Sequence, residues 1–509
     1  MITLRTDNQD SLEKLKPVIM DASGRTECLR GTRVDVLRFT MDWVNDPTTN
    51  QRILWLYGLA GSGKSTLSTT IANIFNASGE LGAFLFFDRD VTERSNPSTV
   101  VRTLAHQLAG SHPAAARAIR AVIERNTNIF ISPLRLQFQK LILEPLSAVT
   151  GVAPKIILVL DALDECGTAS QRNALLSMLA HDFIHMVPSV RTIITSRPEF
   201  DICCAFESQS HTLAHELDIT SEANSDDIML YFRYHMALIR TQKKYLQLNL
   251  QWPGEEVLCE LVQRASGLFV WASTVCEFMN GHDPRRRMDV ILKGRVGSSA
   301  ELALDNLYTT ALLSLGNWDD EDFIADFRSI MGTVLVARRP LSSEAIDVLL
   351  NTHEENPSMH TISLLGCLIQ HIPTVRVLHP SFSDFMTTQR RCGQDMWFFH
   401  QSICHRKLAF QCLAHMDTVL KRNICNMTLS VNQADESLSE VVSYSCLFWI
   451  DHICVIEDDL VPVVDRLHGF LNRHLLHWFE AMSIMKRSRD TIDLVDRLYD
   501  WLSVGHFTI

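Results

Sequence analysis

The chain lacks any run of apolar residues long enough to cross a bilayer. Its longest apolar stretches, at 156–160 and 268–279, end or meet polar residues well short of the ~20 positions that a transmembrane helix needs. The first 14 residues contain no apolar core of the kind found in a secretory signal peptide. We therefore expect a protein without a membrane span, located in the cytoplasm.

Regularly spaced cysteines are also absent. The 13 cysteines are scattered and form no C-x-x-C pair, so the sequence predicts neither a disulfide framework nor a zinc ribbon. One group on a predicted helix, consisting of Cys404, His405, Cys412 and His415, has near-helical spacing that is compatible with a metal site. An apolar helix face is the better interpretation, because cysteine is among the most often buried residue types.

The chain also has no excess of positively charged residues. The chain has 47 lysines and arginines against 59 aspartates and glutamates, which gives a formal net charge of -12. This balance argues against a protein whose main task is to bind a phosphate backbone, so nucleic acid is not an expected partner. The chain also has no repeat of fixed period, and its 509 residues predict several domains rather than a solenoid.

The sequence does contain a glycine-rich turn that ends in a lysine. Residues 58–65 read GLAGSGKS and follow an apolar run at 53–57, which matches the phosphate-binding pattern G-x-x-x-x-G-K-[ST]. In this pattern Lys64 supplies a cation to the β- and γ-phosphates, and the Ser65 hydroxyl holds Mg²⁺. The helix predicted at 65–75 adds its free N-terminal amides. The predicted phosphate-binding residues are Gly58, Ala60, Gly61, Ser62, Gly63, Lys64, Ser65 and Thr66.

Short apolar runs alternate with helical patterns in the first half of the chain. The runs lie at 53–57, 83–87, 156–160, 192–195 and, more weakly, 212–217. This alternation predicts an α/β core with a parallel sheet and helices on both faces. From residue 225 onward apolar residues recur every three or four positions, so the second half is predicted to be mainly helical.

Acidic residues follow the strand predicted at 156–160, where an open parallel sheet has its ligand-binding edge. Asp161 is predicted to hold Mg²⁺ through water, and Asp164 or Glu165 to polarise the water that attacks the γ-phosphate. Three carboxylates beside a triphosphate would repel it, so the sequence implies Mg²⁺ between them. The alternative is an acidic turn that merely favours the N-terminus of the next helix.

Arg197 follows the next predicted strand and is expected at the same edge as Asp161. A guanidinium there can contact the γ-phosphate and so distinguish a triphosphate from a diphosphate, whereas a surface ion pair is the competing interpretation. The chain contains no N-K-x-D motif for reading guanine. We therefore expect ATP and ADP as ligands, with GTP as the alternative.

Four motifs together resemble the NACHT family of signal-transducing NTPases, especially the fungal NLR-like (STAND) proteins. They are GLAGSGKS at 58–65, LVLDALDEC at 158–166, TSRPE at 195–199 and GLFVWA at 267–272. The resemblance covers roughly residues 25–505 and implies a P-loop NTPase core followed by helical and winged-helix domains. The implied domains are an N-terminal lead-in at 1–50, the NACHT nucleotide-binding domain at 51–220, a helical domain at 221–325, a winged-helix-like domain at 326–392 and a C-terminal helical domain at 393–509.

The same resemblance implies further contacts with the nucleotide. Thr32 and Arg33, together with a loop that contains Gly267 and Phe269, are expected near the adenine, although Gly267 could equally serve only to start a helix. His379 is similar to a winged-helix histidine that contacts the β-phosphate of ADP. Proline replaces the usual acidic residue after it, and a buried core histidine is the alternative.

The resemblance implies a switch with a role in non-self recognition, innate immunity or cell-death signalling. ADP would hold the helical and winged-helix domains closed, and ATP would open them and permit self-association and contacts with unknown effector and ligand proteins. Hydrolysis is expected to be slow and to depend on Lys64, Asp164, Glu165 and Arg197. The alternatives are a continuously hydrolysing remodelling ATPase and a scaffold that binds ADP permanently.

Family members usually have an effector domain before this core and a repeat array after it. Only about fifty residues precede the phosphate loop, and no repeats follow the helical region. A minimal switch, a fragment and an incomplete gene model are therefore all compatible with the sequence.

Overall fold

The computed structural model describes residues 12–147, 155–281, 283–352, 358–393, 396–425 and 438–504. These residues divide into two units, one within Met1–Cys276 and Val296–Ala303 and the other within Glu277–Arg295 and Leu304–Ile509. The five domains expected from the sequence remain a prediction. Among the described residues, no helix has both the length and the apolar character that crossing a membrane requires.

A five-stranded parallel sheet forms the centre of the first unit. The strands are β1 Ile53–Tyr57, β2 Leu81–Phe86, β3 Ile156–Asp161, β4 Val190–Ser196 and β5 Thr212–Glu216, and their order in the sheet is β2-β3-β4-β1-β5. Because all pairs are parallel, the carboxyl ends of β1, β3 and β4 meet at one edge. The predicted α/β P-loop class is confirmed.

Helices precede, connect and follow these strands. They are α1 Val34–Asn45, α2 Lys64–Ser78, α3 Val100–Ser111, α4 Pro113–Arg125, α5 Leu134–Phe138, α6 Glu144–Ser147, α7 Ala169–His181, α8 Phe200–Phe206, α9 Glu222–Gln242, α10 Glu255–Ala265 and α11 Phe269–Gly281. The π-helical turn Gln139–Leu143 joins α5 to α6.

Successive residues of the strands face two separate apolar layers, as their near-continuous hydrophobicity predicts. Leu54 on β1 packs in one layer with Leu67 and Ile71 of α2. Trp55, the next residue on β1, packs in the other layer with Leu104 of α3. Helices therefore cover both faces of the sheet, and the loops at its carboxyl edge are left to form a site.

The second unit is mainly helical. Its elements, with α13 beginning in the first unit, are α12 Pro284–Lys293, α13 Ala300–Leu315, α14 Glu321–Val336, α15 Ser343–Leu350, α16 Ser358–Leu364, β6 Ile369–Gln370, β7 Arg376–Val377, α17 Pro380–Thr387, α18 Gln389–Cys392, α19 Gln401–Val419, α20 Glu440–Ile453, α21 Val461–Ile484 and α22 Asp490–Val504. β6 and β7 pair antiparallel. Three helices followed by this hairpin fit the order of elements in a winged helix.

Helix α19 contains the histidine and cysteine group considered above as a metal site. Cys404 and Cys412 are buried, and His405 is bonded to His452 of α20 through their Nδ1 atoms, 2.8 Å apart. The two cysteines belong to the apolar core of this unit, and the histidine pairs with a neighbouring helix.

Candidate nucleotide-binding site

The glycine-rich turn connects β1 to α2 at the carboxyl edge of the sheet. Gly63 immediately precedes the helix and has a φ of 89°, a left-handed conformation that glycine adopts without the steric cost of a Cβ atom. α2 begins at Lys64, so its first backbone amides have no partner within the helix and are oriented toward the turn. Ser62 is buried, and its Oγ has no hydrogen-bond partner. A turn of this kind binds an anion.

The Lys64 side chain folds back over the turn. Its Nζ donates hydrogen bonds to the carbonyl oxygens of Gly58 at 2.7 Å and Leu59 at 2.8 Å. Burial lowers the pKa of Lys64 to about 8, while the charge of Asp164 opposes this decrease. The ammonium group therefore lies within the turn, at the position where the sequence predicts a cation.

Asp161 ends β3 and has a completely buried side chain. Thr195 on β4 donates from Oγ1 to its Oδ1 at 2.5 Å, and Arg25 forms an ion pair with its Oδ2. The same Nη2 of Arg25 lies 3.4 Å from the Ser65 carbonyl oxygen. One guanidinium nitrogen thus contacts both residues predicted to hold the metal, so Ser65 and Asp161 are neighbours.

The donors at this position fit a magnesium ion. A hydroxyl and a carboxylate are hard oxygen ligands, and Mg²⁺ is usually bound through one or two carboxylates together with phosphate oxygens. Within the described parts of the chain, no group of three or more His, Cys, Asp or Glu side chains could hold a metal ion. Phosphate oxygens and water would therefore have to complete the coordination.

Asp164 and Arg197 form an ion pair that joins the turn after β3 to the end of β4. The Arg197 backbone amide donates to Asp164 Oδ1 at 3.0 Å, and its Nε lies 3.3 Å from Oδ2. The Asp164 side chain is only 2% exposed, whereas that of Arg197 is 21% exposed. Arg197 is therefore held at the sheet edge by a buried partner and still reaches solvent.

Glu165 lies beside this pair in an acidic environment. The backbone amide of Arg89 donates to its Oε2 at 3.4 Å. Burial raises the pKa of Glu165 to about 8, and the neighbouring carboxylates of Asp164 and Asp88 raise it further against the opposing charge of Arg89. A carboxyl group with such a pKa has the basicity of a general base that works near neutral pH.

Arg33 contacts the phosphate loop directly. Its Nη2 donates to the Ser62 carbonyl oxygen at 2.6 Å, and its guanidinium stacks on the ring of Phe269 at 4.8 Å. The first turn of α11 is attached to the same phosphate loop, because the Val270 amide donates to the Gly61 carbonyl oxygen at 3.1 Å. Arg33 and Phe269, both expected near the adenine, thus meet beside the phosphate loop, with the buried Thr32 next to Arg33 in the chain.

Gly267 has a structural role in this arrangement. Its φ is 79°, and a Cβ atom at this position would lie 2.0 Å from the carbonyl oxygen of Ile219. Asn224 donates from Nδ2 to the carbonyl oxygens of both Ile219 and Gly267, each at 3.0 Å. The fold requires glycine here, and contact with the adenine remains a prediction.

His379 belongs to the second unit, where it caps the N-terminus of α17. Its Nδ1 accepts a hydrogen bond from the Ser381 amide at 3.1 Å and lies 2.7 Å from Ser381 Oγ. Ser381 in turn contacts the buried Tyr308 hydroxyl at 2.7 Å. The side chain has a helix-capping role, and its predicted contact with ADP stays a prediction.

The sequence of this chain is similar to those of known proteins. Residues 38–197 match the family model described as Nephrocystin 3, N-terminal. The vegetative incompatibility protein HET-E-1 of Podospora anserina is 24% identical over 499 residues, which cover 90% of this chain and 35% of that protein. These matches confirm the resemblance to fungal NACHT NTPases. The chain spans about one third of the length of HET-E-1.

Among solved structures, the Drosophila ORC bound to GC-rich DNA and Cdc6 aligns over 98% of this chain and 72% of its own. The sequence identity is 10% and the TM-score is 0.26.

Two arginines of the NACHT-like site were not predicted from the sequence. Arg25 contacts Asp161, which lies 136 positions away in the chain. Arg172 on α7 is 2% exposed, forms two hydrogen bonds to Asp201 at 2.7 and 2.9 Å, and pairs with Glu199. It also donates to the Asp164 carbonyl oxygen at 2.9 Å. No local pattern marks either arginine, because their partners come from distant segments.

Proposed function

We propose that this protein is a signalling switch that binds ATP and ADP with Mg²⁺, hydrolyses ATP slowly and changes its oligomeric state. The main support is the position of Lys64, Asp161 and Glu165 together at one edge of a parallel sheet. The similarity to a vegetative incompatibility protein supports a role in non-self recognition or cell-death signalling. The finer function rests on this site and its predicted chemistry.

Each residue has a distinct task in this proposal. Lys64 and the free amides of α2 bind the β- and γ-phosphates. Ser65 and Asp161 hold the metal, which when bound neutralises phosphate charge. Glu165 accepts a proton from the attacking water, and Arg197, oriented by Asp164, contacts the γ-phosphate.

The environment of Glu165 supports slow turnover. Because burial raises its pKa to about 8, this carboxyl group is mostly protonated at pH 7, which lowers the fraction of molecules with the base ready. Slow hydrolysis suits a timer better than a motor. A remodelling ATPase that hydrolyses continuously is therefore the less favoured alternative.

The binding free energy from contacts with one phosphate group is sufficient for such a switch. Converting a nearly closed population to a nearly open one requires about 5.5 kcal/mol of differential binding. A γ-phosphate that contacts Lys64 and Arg197 gains charge-assisted hydrogen bonds, each worth about 1.5–3 kcal/mol net. Two or three such contacts supply the required difference.

Nucleotide content tests this proposal directly. We expect the purified protein to contain ADP, identified by mass spectrometry after denaturation, and to show little ATP turnover. Lys64→Ala should reduce the bound nucleotide by more than tenfold, because the turn loses its cation. Lys140→Ala is the matched control, since Lys140 only forms an exposed pair with Glu144 on a neighbouring helical turn.

Other outcomes favour the alternatives. Steady hydrolysis by protein that is purified empty would indicate a remodelling ATPase, and tightly bound ADP that ATP analogues cannot replace would indicate a scaffold. Bound GTP in place of ADP would change the nucleobase that the site accepts, but it would not change the proposed switch. Absence of any bound purine nucleotide, together with no binding heat for ATP, ADP, GTP or GDP, would contradict the proposal.

A further inference from the structure

The Asp161 carboxylate already has a cationic partner within the chain. Arg25 pairs with its Oδ2, and the Arg25 Nε donates to Thr69 Oγ1 of α2 at 3.1 Å. The guanidinium carbon also lies over the Phe86 ring, 4.5 Å from its centre, at the end of β2. Arg25 is thus fixed from three sides, and one of its contacts is the predicted metal ligand.

Arg25 belongs to a segment of turns and irregular structure, residues 18–31, that precedes α1. Hydrogen bonds join this segment to the sheet helices, from the Val18 amide to Thr103 Oγ1 at 3.0 Å and from the Cys28 amide to Thr70 Oγ1 at 2.8 Å. Its apolar side chains also pack, partly buried, against the layers on the sheet; they are Met20, Ala22 and Cys28. The Asn73 amide group donates to Glu27 at 2.8 Å in an exposed position. Unlike these hydrogen bonds, the Arg25 contact is an ion pair to a completely buried group.

A guanidinium and a metal ion cannot both neutralise one buried oxygen at close range. Thr195 donates to Oδ1 of Asp161 and Arg25 pairs with Oδ2, so both oxygens of the predicted metal ligand already have a partner. Arg25 Nη2 also reaches the Ser65 carbonyl, which places it between the two residues expected to hold Mg²⁺. The two cations would repel each other across a few ångströms in a site with limited solvent.

We propose that Arg25 competes with Mg²⁺ for Asp161, so that binding of a Mg²⁺–nucleotide displaces Arg25 and loosens residues 18–31. This inference rests on the proposed nucleotide function and adds its regulation. Hydrogen exchange in the segment before α1 then indicates whether Mg²⁺ and nucleotide occupy the site. Arg25 is a positioning residue that sets the Mg²⁺ concentration at which the site fills.

Magnesium titrations test the competition. Binding of a fluorescent ADP analogue to the whole protein is measured at increasing Mg²⁺, starting from EDTA. We expect Arg25→Gln to lower the Mg²⁺ concentration for the half-maximal effect about tenfold or more, because one charge-assisted contact no longer has to be broken. Arg30→Gln is the matched control, since Arg30 is an exposed arginine of the same segment and should leave the midpoint unchanged.

Hydrogen exchange supplies a second measurement that requires no variant. In the wild-type protein, exchange of residues 18–31 should increase when Mg²⁺ and ADP are added together, and should stay low with ADP in EDTA. Equal Mg²⁺ midpoints for wild type and Arg25→Gln, or unchanged exchange in this segment, would overturn the inference. If Arg25→Gln does not fold, the exchange experiment decides alone.

Failure of the proposed function would look different. In that case the wild-type protein would bind no nucleotide analogue with or without Mg²⁺, and Lys64→Ala would behave like wild type. Binding that depends on Lys64 but shows no effect of Arg25 would reject only the competition.

Discussion

Lys64 and Glu165 have similar pKa values. Burial lowers the pKa of Lys64 to about 8 and raises that of Glu165 to about 8. The proposed hydrolysis uses charged Lys64 and ionised Glu165, so lower pH would remove the base and higher pH would remove the cation. Because kcat/KM reports groups of the free enzyme, we expect a bell-shaped profile for ATP hydrolysis with its maximum near pH 8. The two limbs belong to the pair of coupled groups together.

Glu165→Gln tests how much the carboxylate contributes to this pH profile. This variant should retain bound nucleotide, lower kcat by roughly 10²–10⁴-fold and remove the rise of kcat/KM between pH 6 and 8. Nucleotide content by mass spectrometry serves as the control for folding and binding. A variant that hydrolyses ATP normally would move the base to Asp164 or to a positioned water.

The buried Arg172 side chain connects several segments of the first unit. It connects the Asp164 carbonyl in the turn after β3 with Glu199 and Asp201 in the segment after β4. Hydrogen bonds to Asp201 and Glu199 raise the already high pKa of Arg172 against the effect of burial, so it stays charged. Arg172→Met should destabilise the first unit by about 2 kcal/mol, a buried-pair loss reduced because both carboxylates are partly exposed.

The measurement is thermal unfolding of the full chain by calorimetry, with Arg135→Met as control. Arg135 makes a similar contact to Asp182, but its own side chain is 76% exposed, so its loss should cost about 0.5 kcal/mol. Arg172→Met should also reduce hydrolysis more than nucleotide binding, because the acidic turn loses its anchor. Equal melting temperatures for both variants would contradict this assignment.

At the scale of elements, helices α19 and α20 are joined by a buried chain of hydrogen bonds. The Arg338 amide donates to Tyr444 Oη at 3.1 Å, and Tyr444 Oη lies 2.9 Å from His452 Nε2. When the Tyr444 hydroxyl donates to His452 Nε2, the Nδ1 proton of His452 is left to donate to His405 Nδ1, 2.8 Å away. Burial and the charge of Arg338 lower the pKa of His405 to about 3, and burial and His405 lower that of His452.

This chain of bonds predicts acid sensitivity of the second unit. Both histidines are neutral when folded, whereas each binds a proton below about pH 6.5 when unfolded, so their contribution is complete above that pH and decreases as pH falls. Each should remove about 1.4 kcal/mol of unfolding free energy per pH unit between pH 6 and 4. His405→Gln keeps an acceptor for His452 and should roughly halve this additional slope.

Urea denaturation followed by tryptophan fluorescence at several pH values measures the effect. His360→Gln is the control, since His360 is exposed and should leave the slope at the wild-type value. An unchanged slope in His405→Gln would show that other groups cause the acid sensitivity. The comparison between variants removes contributions from histidines elsewhere in the chain.

The elements themselves were largely predictable from sequence. The strand expected at 53–57 has the same bounds as β1, and the run at 156–160 misses only Asp161, the last residue of β3. The strand expected at 83–87 begins at Leu81, because Gly82 interrupts the apolar run that marks it. Both faces of this sheet are buried, so continuous hydrophobicity identifies its strands well.

The contacts that orient the site were less predictable. Motif spacing placed Lys64, Asp161 and Arg197 at the correct edge, because carboxyl ends of parallel strands meet there. It could not show that Asp164 pairs with Arg197, or that Arg25 reaches Asp161 across 136 positions. Such pairs depend on which loops the fold brings together, and neither helical nor strand periodicity contains that information.

At the scale of the whole molecule, net charge influences self-association. The chain has a formal charge of -12, so copies of it repel one another at low ionic strength. Salt shortens the range of this repulsion to about 10 Å at 0.1 M. An opened, triphosphate-bound form should therefore associate more readily as salt increases, until loss of nucleotide contacts becomes limiting.

Light scattering coupled to size-exclusion chromatography tests this prediction. With ADP we expect the monomer mass of 57.7 kDa at all salt concentrations, and with a non-hydrolysable ATP analogue and Mg²⁺ a larger mass at 0.3 M than at 0.05 M salt, as screening increases. Glu165→Gln should show the larger mass with ATP itself, because it binds but does not hydrolyse. Lys64→Ala should stay monomeric throughout. A monomer mass for wild type and Glu165→Gln in every nucleotide would separate nucleotide binding from assembly and leave a scaffold as the better description.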